Sequence, residues 1–217
     1  MPVRDIPIGT RAVTGRHARS GARYESSLER DFFELMMSDP MVDKIEEQPV
    51  RINYVDKNGK KRRYTPDALV TFKPNPITQE VRRALLCEVK YRDEYKKNFL
   101  DLQERIRAAL RYARHLGWQF KVVTDREIRT TYLDNIHFLA GFRDREPHEE
   151  HVISILDHLE RVGTMATAVL LSTMASDPWK QAEIIPTLWW LVAHSKLKVD
   201  LSGPLSMESP LSLPVCQ

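Results

Sequence analysis

The chain has 217 residues, 42% hydrophobic and 29% charged, the balance of an ordinary globular protein long enough to bury a core. Its net charge of +3 is unevenly spread: residues 146–217 carry four Lys/Arg against nine Asp/Glu, which leaves +8 on residues 1–145, so the first part suits a polyanion and the second does not. Only Cys87 and Cys216 are present, which excludes a disulfide framework, and neither a signal-peptide core nor a bilayer-length apolar run is found, so a cytoplasmic location is expected and a membrane role is not.

Residues 1–23 hold Arg4, Arg11, Arg16, Arg19 and Arg23 against Asp5 alone, without periodicity. They read as a basic flexible arm, either a grip on DNA phosphates or a solvated tail. Leu28, Phe32, Leu35 and Met36 at helical spacing predict an amphipathic helix over 26–38, stopped by Asp39-Pro40. Ser26 and Glu29 fit a capping box at its start. Glu29 also shares a face with Phe32, Phe33 and Met36, so it turns partly inward, where a carboxylate needs a partner and a metal is one choice. Gln48 either reaches a site or only precedes the turn at Pro49. Val50 to Val55 alternates as a strand, and Asp56-Lys57-Asn58-Gly59 is a hairpin turn. The chain leaves that turn as Lys60, Lys61, Arg62 and Arg63, a phosphate contact or a solvated turn.

Two short apolar strands follow, Ala68 to Phe72 and Ala84 to Val89. Paired as neighbours, they bring Asp67, Glu88 and Lys90 together, because alternation puts Glu88 and Lys90 on one face and Val89 on the other. Two carboxylates beside an ammonium suit a hard divalent cation bound through oxygen. Phosphodiester hydrolysis asks for such a metal and for positive charge to offset what develops in the transition state. In that reading Asp67 and Glu88 hold Mg²⁺, the carbonyl of Val89 completes the protein ligands, and Lys90 positions or deprotonates the water. The plainer alternative is a salt-bridged strand end.

A helix is predicted from about Asn98 to Leu116, with Phe99, Leu102, Ile106, Ala109, Leu110 and Ala113 as its buried stripe and Gly117 as its C-cap. Arg107, Arg111 and Arg114 line one flank of the stripe and Arg105 lies on the other. Phe120 to Thr124 reads as a further central strand, giving an α/β fold with a mixed sheet flanked by helices. Arg143-Asp144-Arg145-Glu146-Pro147 marks a boundary. Helical patterns then run near 148–160, 164–175 and 178–195, the last kinked at Pro186, before an extended tail. Three helices and a small hairpin are winged-helix-like, but the local acidity argues against phosphate binding. A protein-docking module is expected, with Trp179, Trp189 and Trp190 as anchors or as core. His148, His151 and His158 fall near one helical face without the further ligands zinc requires, and no Gly-rich phosphate loop is present.

The order Pro66-Asp67…Glu88-Val89-Lys90 resembles the Pro-Asp…(Asp/Glu)-x-Lys motif of restriction-endonuclease-like nucleases. With Ser26-Ser27-Leu28-Glu29-Arg30-Asp31-Phe32, Asp39-Pro40 and Glu47-Gln48-Pro49 upstream, and Val123-Thr124-Asp125-Arg126-Glu127-Ile128 downstream, the chain is similar to TnsA, the endonuclease subunit of heteromeric cut-and-paste transposases. The resemblance covers about residues 24 to 140 and implies a restriction-endonuclease-like fold over 24–145, after the arm of 1–23 and before a docking domain at 146–217. It makes Glu29, Asp67 and Lys90 catalytic, with Glu88 a further metal ligand, and implies Mg²⁺ with Mn²⁺ as its substitute. Double-stranded DNA at transposon ends, a transposase subunit TnsB and an ATPase regulator TnsC are the implied partners, and the 5′ ends of the element the implied target. A stand-alone restriction or repair nuclease of the same fold, and a non-catalytic DNA-binding adaptor, are the other readings of these residues.

Overall fold

The computed structural model describes residues 15–214, which divide into two compact units at Arg129 and Thr130. Residues 1–14, with Arg4 and Arg11 of the expected basic arm, and 215–217, with Cys216, lie outside the described residues.

The first unit begins with a small hairpin, β1 (Gly15–Arg16) and β2 (Arg23–Tyr24), followed by α1 (Ser27–Ser38) and β3 (Val42–Glu47). A two-stranded ribbon of β4 (Ile52–Val55) and β5 (Lys61–Tyr64) comes next, then β6 (Ala68–Phe72), β7 (Leu85–Lys90), α2 (Arg92–Lys97), α3 (Phe99–His115), β8 (Gln119–Thr124) and α4 (Asp125–Ile128). The sheet runs β3-β6-β7-β8. Strand β6 is antiparallel to both β3 and β7, whereas β7 and β8 are parallel and joined through α3 as crossover. The result is a four-stranded mixed sheet flanked by helices, consistent with a restriction-endonuclease-like fold.

Strand parity decides what each face meets. Leu69 and Leu86 are opposite one another in the register and pack with Ile52, Tyr64, Ala108, Ala109 and Ala113, so that face lies under α3 and the ribbon. Three alanines on α3 let its backbone sit close to the sheet. Ala68, Val70, Cys87 and Val89, of the other parity, are buried on the opposite face. Helix α1 packs on β3 and β7 and buries Leu28, Phe32 and Phe33 completely, while Leu35 and Met36 of the expected stripe are half-buried.

The second unit holds α5 (Thr131–Arg143), α6 (Glu149–Val162), β9 (Met165–Ala166), α7 (Thr167–Met174), α8 (Pro178–Ala193) and β10 (Pro210–Leu211). Its core gathers Leu139, Ile155, Leu159, Leu170, Leu171, Leu188, Trp189 and Leu191 around α8, which packs against α5, α6 and α7. Buried Asn135 on α5 ties down the tail: its amide donates to the carbonyls of Leu201 and Gly203 and its oxygen accepts from Leu205 N.

Several local expectations differ from what is seen. Arg16 and Arg23 belong to the β1–β2 hairpin instead of a loose arm, because Ala22 and His17 are buried and the His17 ring meets Phe33 edge-on at 6.2 Å. The units divide before α5, whereas the charge run placed a boundary after Arg145; α5 shares its core with α8. The two arms of the tail meet in one antiparallel bridge, Lys198 with Ser212, and strand β10 also pairs antiparallel with β9, ahead of α7. Pro186, where a kink is expected, lies within the helix α8. Trp189 is core, Trp190 is half-buried and stacked on His194 at 4.2 Å, and only Trp179, 82% exposed, stands free of the core.

Candidate active site

Asp67 sits one residue before β6, held between the neighbouring strands. Its N–H donates to Cys87 O at 3.0 Å, its carbonyl accepts from Gln48 N at 2.9 Å, and its carboxylate Oδ2 accepts from Val89 N at 2.7 Å. The register continues Ala68 opposite Cys87, which sets Asp67 across from Glu88 on the face that carries Leu69 and Leu86. Lys90 follows two residues later with the same parity. Its Nζ lies 3.3 Å from Glu88 Oε1 and 3.9 Å from Asp67 Oδ2. The structure therefore brings Asp67, Glu88 and Lys90 together at the end of the sheet, under the α3 side.

A residue that sequence reasoning passed over completes this group. Tyr64 closes β5 buried in the α3-facing core, and its hydroxyl donates to Glu88 Oε2 at 2.6 Å. Glu88 is thus gripped at both oxygens, by Tyr64 on one and Lys90 on the other. The only sequence signal was an aromatic two residues ahead of Pro66, and nothing in that spacing reveals a partner 24 residues away.

The electrostatics are those of too much negative charge for one ammonium. Burial, then the charge of Glu88, hold the Asp67 carboxyl well above the usual carboxylate range, and Lys90 only partly offsets them. Burial also works against the charge on Lys90, but Asp67 and Glu88 outweigh it and keep its pKa above the ordinary lysine value. Burial first, then Glu88, raise the Tyr64 phenol far above its usual value, so it remains a donor.

Glu29 realises its capping role. Ser26 caps α1 by accepting from Glu29 N at 3.2 Å, while Glu29 Oε2 accepts from Glu25 N at 2.8 Å and Oε1 from Ser26 Oγ at 3.1 Å. Its carboxyl is raised by burial, and it feels the charge of Lys90 as well as adding to the repulsion at Asp67. Among the described residues, no three His, Cys, Asp or Glu side chains are gathered closely enough to hold a metal, so Glu29 does not join Asp67 and Glu88 as one cluster. Gln48 is buried with φ +43°; its amide donates to Glu25 Oε1, and its own Oε1 has no hydrogen-bond partner. Its backbone bond to Asp67 makes it a support of the site.

The carboxylates of Asp67 and Glu88 are the oxygen donors that a small hard cation would take here, while the Val89 N–H is already bonded to Asp67. Mg²⁺ is commonly held by one or two carboxylates, keeping its remaining positions for water and substrate phosphate. Of the histidines near one helical face, the rings of His148 and His151 lie 5.2 Å apart and tilted, while His158 Nε2 meets Thr173 Oγ1 at 3.3 Å.

The ribbon brings basic residues near this end of α3. Arg62 is tied to Asp56 at 2.8 Å, and Lys57 N donates to Glu104 of α3. A shallow cavity of about 170 Å³ between turn and helix is lined by Asp56, Lys57, Glu104, Arg107 and Arg111. Lys60, Lys61 and Arg63 are exposed beside it.

Residues 39–125 match the family described as TnsA-like endonuclease N terminal, a span that runs from the start of β3 to the end of β8 and contains Asp67, Glu88 and Lys90. This segment is a TnsA-type nuclease domain. A search of curated proteins found no match. The TnsA-like segment covers the whole four-stranded sheet and leaves α1, with Glu29, and the second unit outside it. No helix among the described residues is long and apolar enough to cross a membrane.

Proposed function

We propose that this protein is the endonuclease subunit of a heteromeric cut-and-paste transposase, hydrolysing one DNA strand at the 5′ ends of the element with Mg²⁺. The observation that carries the reading is that the TnsA-like segment is the same one whose strand register sets Asp67 opposite Glu88 and places Lys90 against both. Asp67, Glu88 and the Val89 carbonyl hold the cation, which supplies phosphate polarisation and a more acidic water when bound. Tyr64 keeps Glu88 in place. Lys90 donates to the attacking water and offsets charge on the phosphate. Glu29 acts from its capped position at the head of α1, through its charge on Asp67 and Lys90.

In this reading a transposase of the TnsB kind cuts the 3′ ends, and an ATPase regulator of the TnsC kind meets the second unit, where exposed Trp179 and an acidic surface suit a protein partner better than DNA. The cellular test is the product of transposition. The wild-type chain with its partners yields simple insertions, and Asp67→Ala yields joined, replicative products. Simple insertions from Asp67→Ala would remove the nuclease role from this site.

A further inference from the structure

Arg105 stands where the helical spacing of α3 asks for an apolar residue, three after buried Leu102 and four before buried Ala109. That position turns it towards the sheet face that carries Asp67, Glu88 and Lys90. Its guanidinium carbon lies 5.9 Å from the centre of the Tyr64 ring, the ring whose hydroxyl holds Glu88. Its charge is felt by both Tyr64 and Lys90. Arg129, Arg62 and Arg82 of this unit have acidic partners, Asp31, Asp56 and Asp39. Half-buried Arg105 forms no hydrogen bond or ion pair among the described residues.

A cation turned inward without an anion, next to another cation, is costly unless an anion arrives. The site's own carboxylates make their contacts with Tyr64, Lys90 and Val89 N, and none of them forms an ion pair with Arg105. We infer that Arg105 binds the substrate: its guanidinium takes the non-bridging oxygens of the DNA phosphate presented to Asp67, Glu88 and Lys90. This rests on the nuclease reading and adds a residue to it. Hydrolysis joins a water oxygen to phosphorus and breaks one phosphorus–oxygen ester bond; the water gives up a proton and the departing oxygen gains one. Arg105 exchanges no proton. Its planar fork matches two phosphate oxygens at once, which a lysine does not.

The test uses the full chain and a fluorescein-labelled duplex, with binding measured in Ca²⁺ over a salt series and cleavage measured in Mg²⁺ with the partner transposase. Arg105→Gln is expected to lower the slope of log affinity against log salt by about 0.9, the loss of one phosphate contact. Arg105→Lys, which keeps the charge and the stem, should retain the slope yet cut at least about tenfold more slowly. Free guanidinium ion should restore part of the cleavage lost in Arg105→Ala and none of that lost in Asp67→Ala, a response that a merely structural arginine would not give. A wild-type slope in Arg105→Gln, or wild-type cleavage in Arg105→Lys, overturns the inference. The salt slope is read without cleavage, so a failure of the nuclease reading, seen as no dependence of cleavage on Asp67, remains distinguishable from a failure at Arg105.

Discussion

Two charged clusters in the first unit look alike in sequence and differ in what they hold. Asp31 on α1 is as buried as Glu88, each side chain 7% exposed. Around Asp31 the balance is closed: Arg129 Nε donates at 2.8 Å, Arg30 Nη2 at 3.0 Å, and Arg129 also reaches Ser27 Oγ at 3.0 Å. Around Glu88 it is open, with two carboxylates opposite one another and one ammonium at 3.3 and 3.9 Å. A cluster with cations to spare is a clamp. A cluster short of positive charge, at the ends of the central strands β6 and β7, is where the proposed cation would sit.

The largest expected effect separates the two directly. Asp67→Ala should reduce cleavage by at least about a thousandfold, because it removes a group that acts on the reacting phosphate, while its melting temperature stays level or rises. Asp31→Ala should do the reverse, cutting within about threefold of wild type if it stays folded and losing about 2 kcal/mol of stability as two guanidinium groups lose their acceptor. Thermal unfolding and cleavage measured on both variants check the pair. Equal behaviour of the two would dissolve the distinction.

A second prediction sharpens the open cluster. Mg²⁺ or Mn²⁺ in excess over its dissociation constant should raise the melting temperature of the wild-type chain, since the ion binds only the folded site, and should leave that of Asp67→Ala unmoved. A chelator should reverse the gain. Equal shifts in both proteins would place the ion elsewhere.

Much of the open cluster was legible and the closed one was not, for physical reasons. Pro66-Asp67 and Glu88-Val89-Lys90 could be placed because strand alternation and hairpin-like pairing of neighbouring strands fix both parity and opposition from local sequence. Asp31 and Arg129 lie 98 residues apart, and only the folded chain brings them together. Strand β3 escaped notice because its buried residues, Val42 and Ile45, are three apart: the register shifts between Val42 and Lys44, and the extra residue breaks the period of two. Helix α5 was missed because its apolar residues surround the axis, with Asn135 buried among them as a hydrogen-bond post, so no one-sided stripe appears. Tyr64 and Arg105 share the difficulty of Asp31: each matters through a partner on another element.

Two smaller effects follow from the grip on Glu88 and the repulsion at Asp67. Tyr64→Phe keeps the packed ring and deletes the donor at 2.6 Å, so cleavage should fall about tenfold or more while the chain remains folded; stability should drop by about 1–2 kcal/mol. Unchanged cleavage would make Tyr64 a core residue only. The pH effect is subtler. The Asp67 carboxyl is raised above 3.8 in the folded chain, so the folded state holds its proton more tightly than the unfolded one. In metal-free buffer this makes stability fall as pH rises from the unfolded value through the higher folded one, and the cost is absent below both. Melting curves of wild type against Asp67→Asn across that range should diverge in this direction, the variant lacking this downward component. A divergence of opposite sign would mean that Lys90 more than compensates the pair.

The most direct measurement is strand-specific cleavage of a plasmid carrying the element's ends, with partner transposase and Mg²⁺, comparing wild type, Asp67→Ala and Asp31→Ala. Loss of the 5′-strand cuts in Asp67→Ala alone, with the 3′-strand cuts intact, is the expected result. Persistence of the 5′-strand cuts in Asp67→Ala would contradict the assignment of this site.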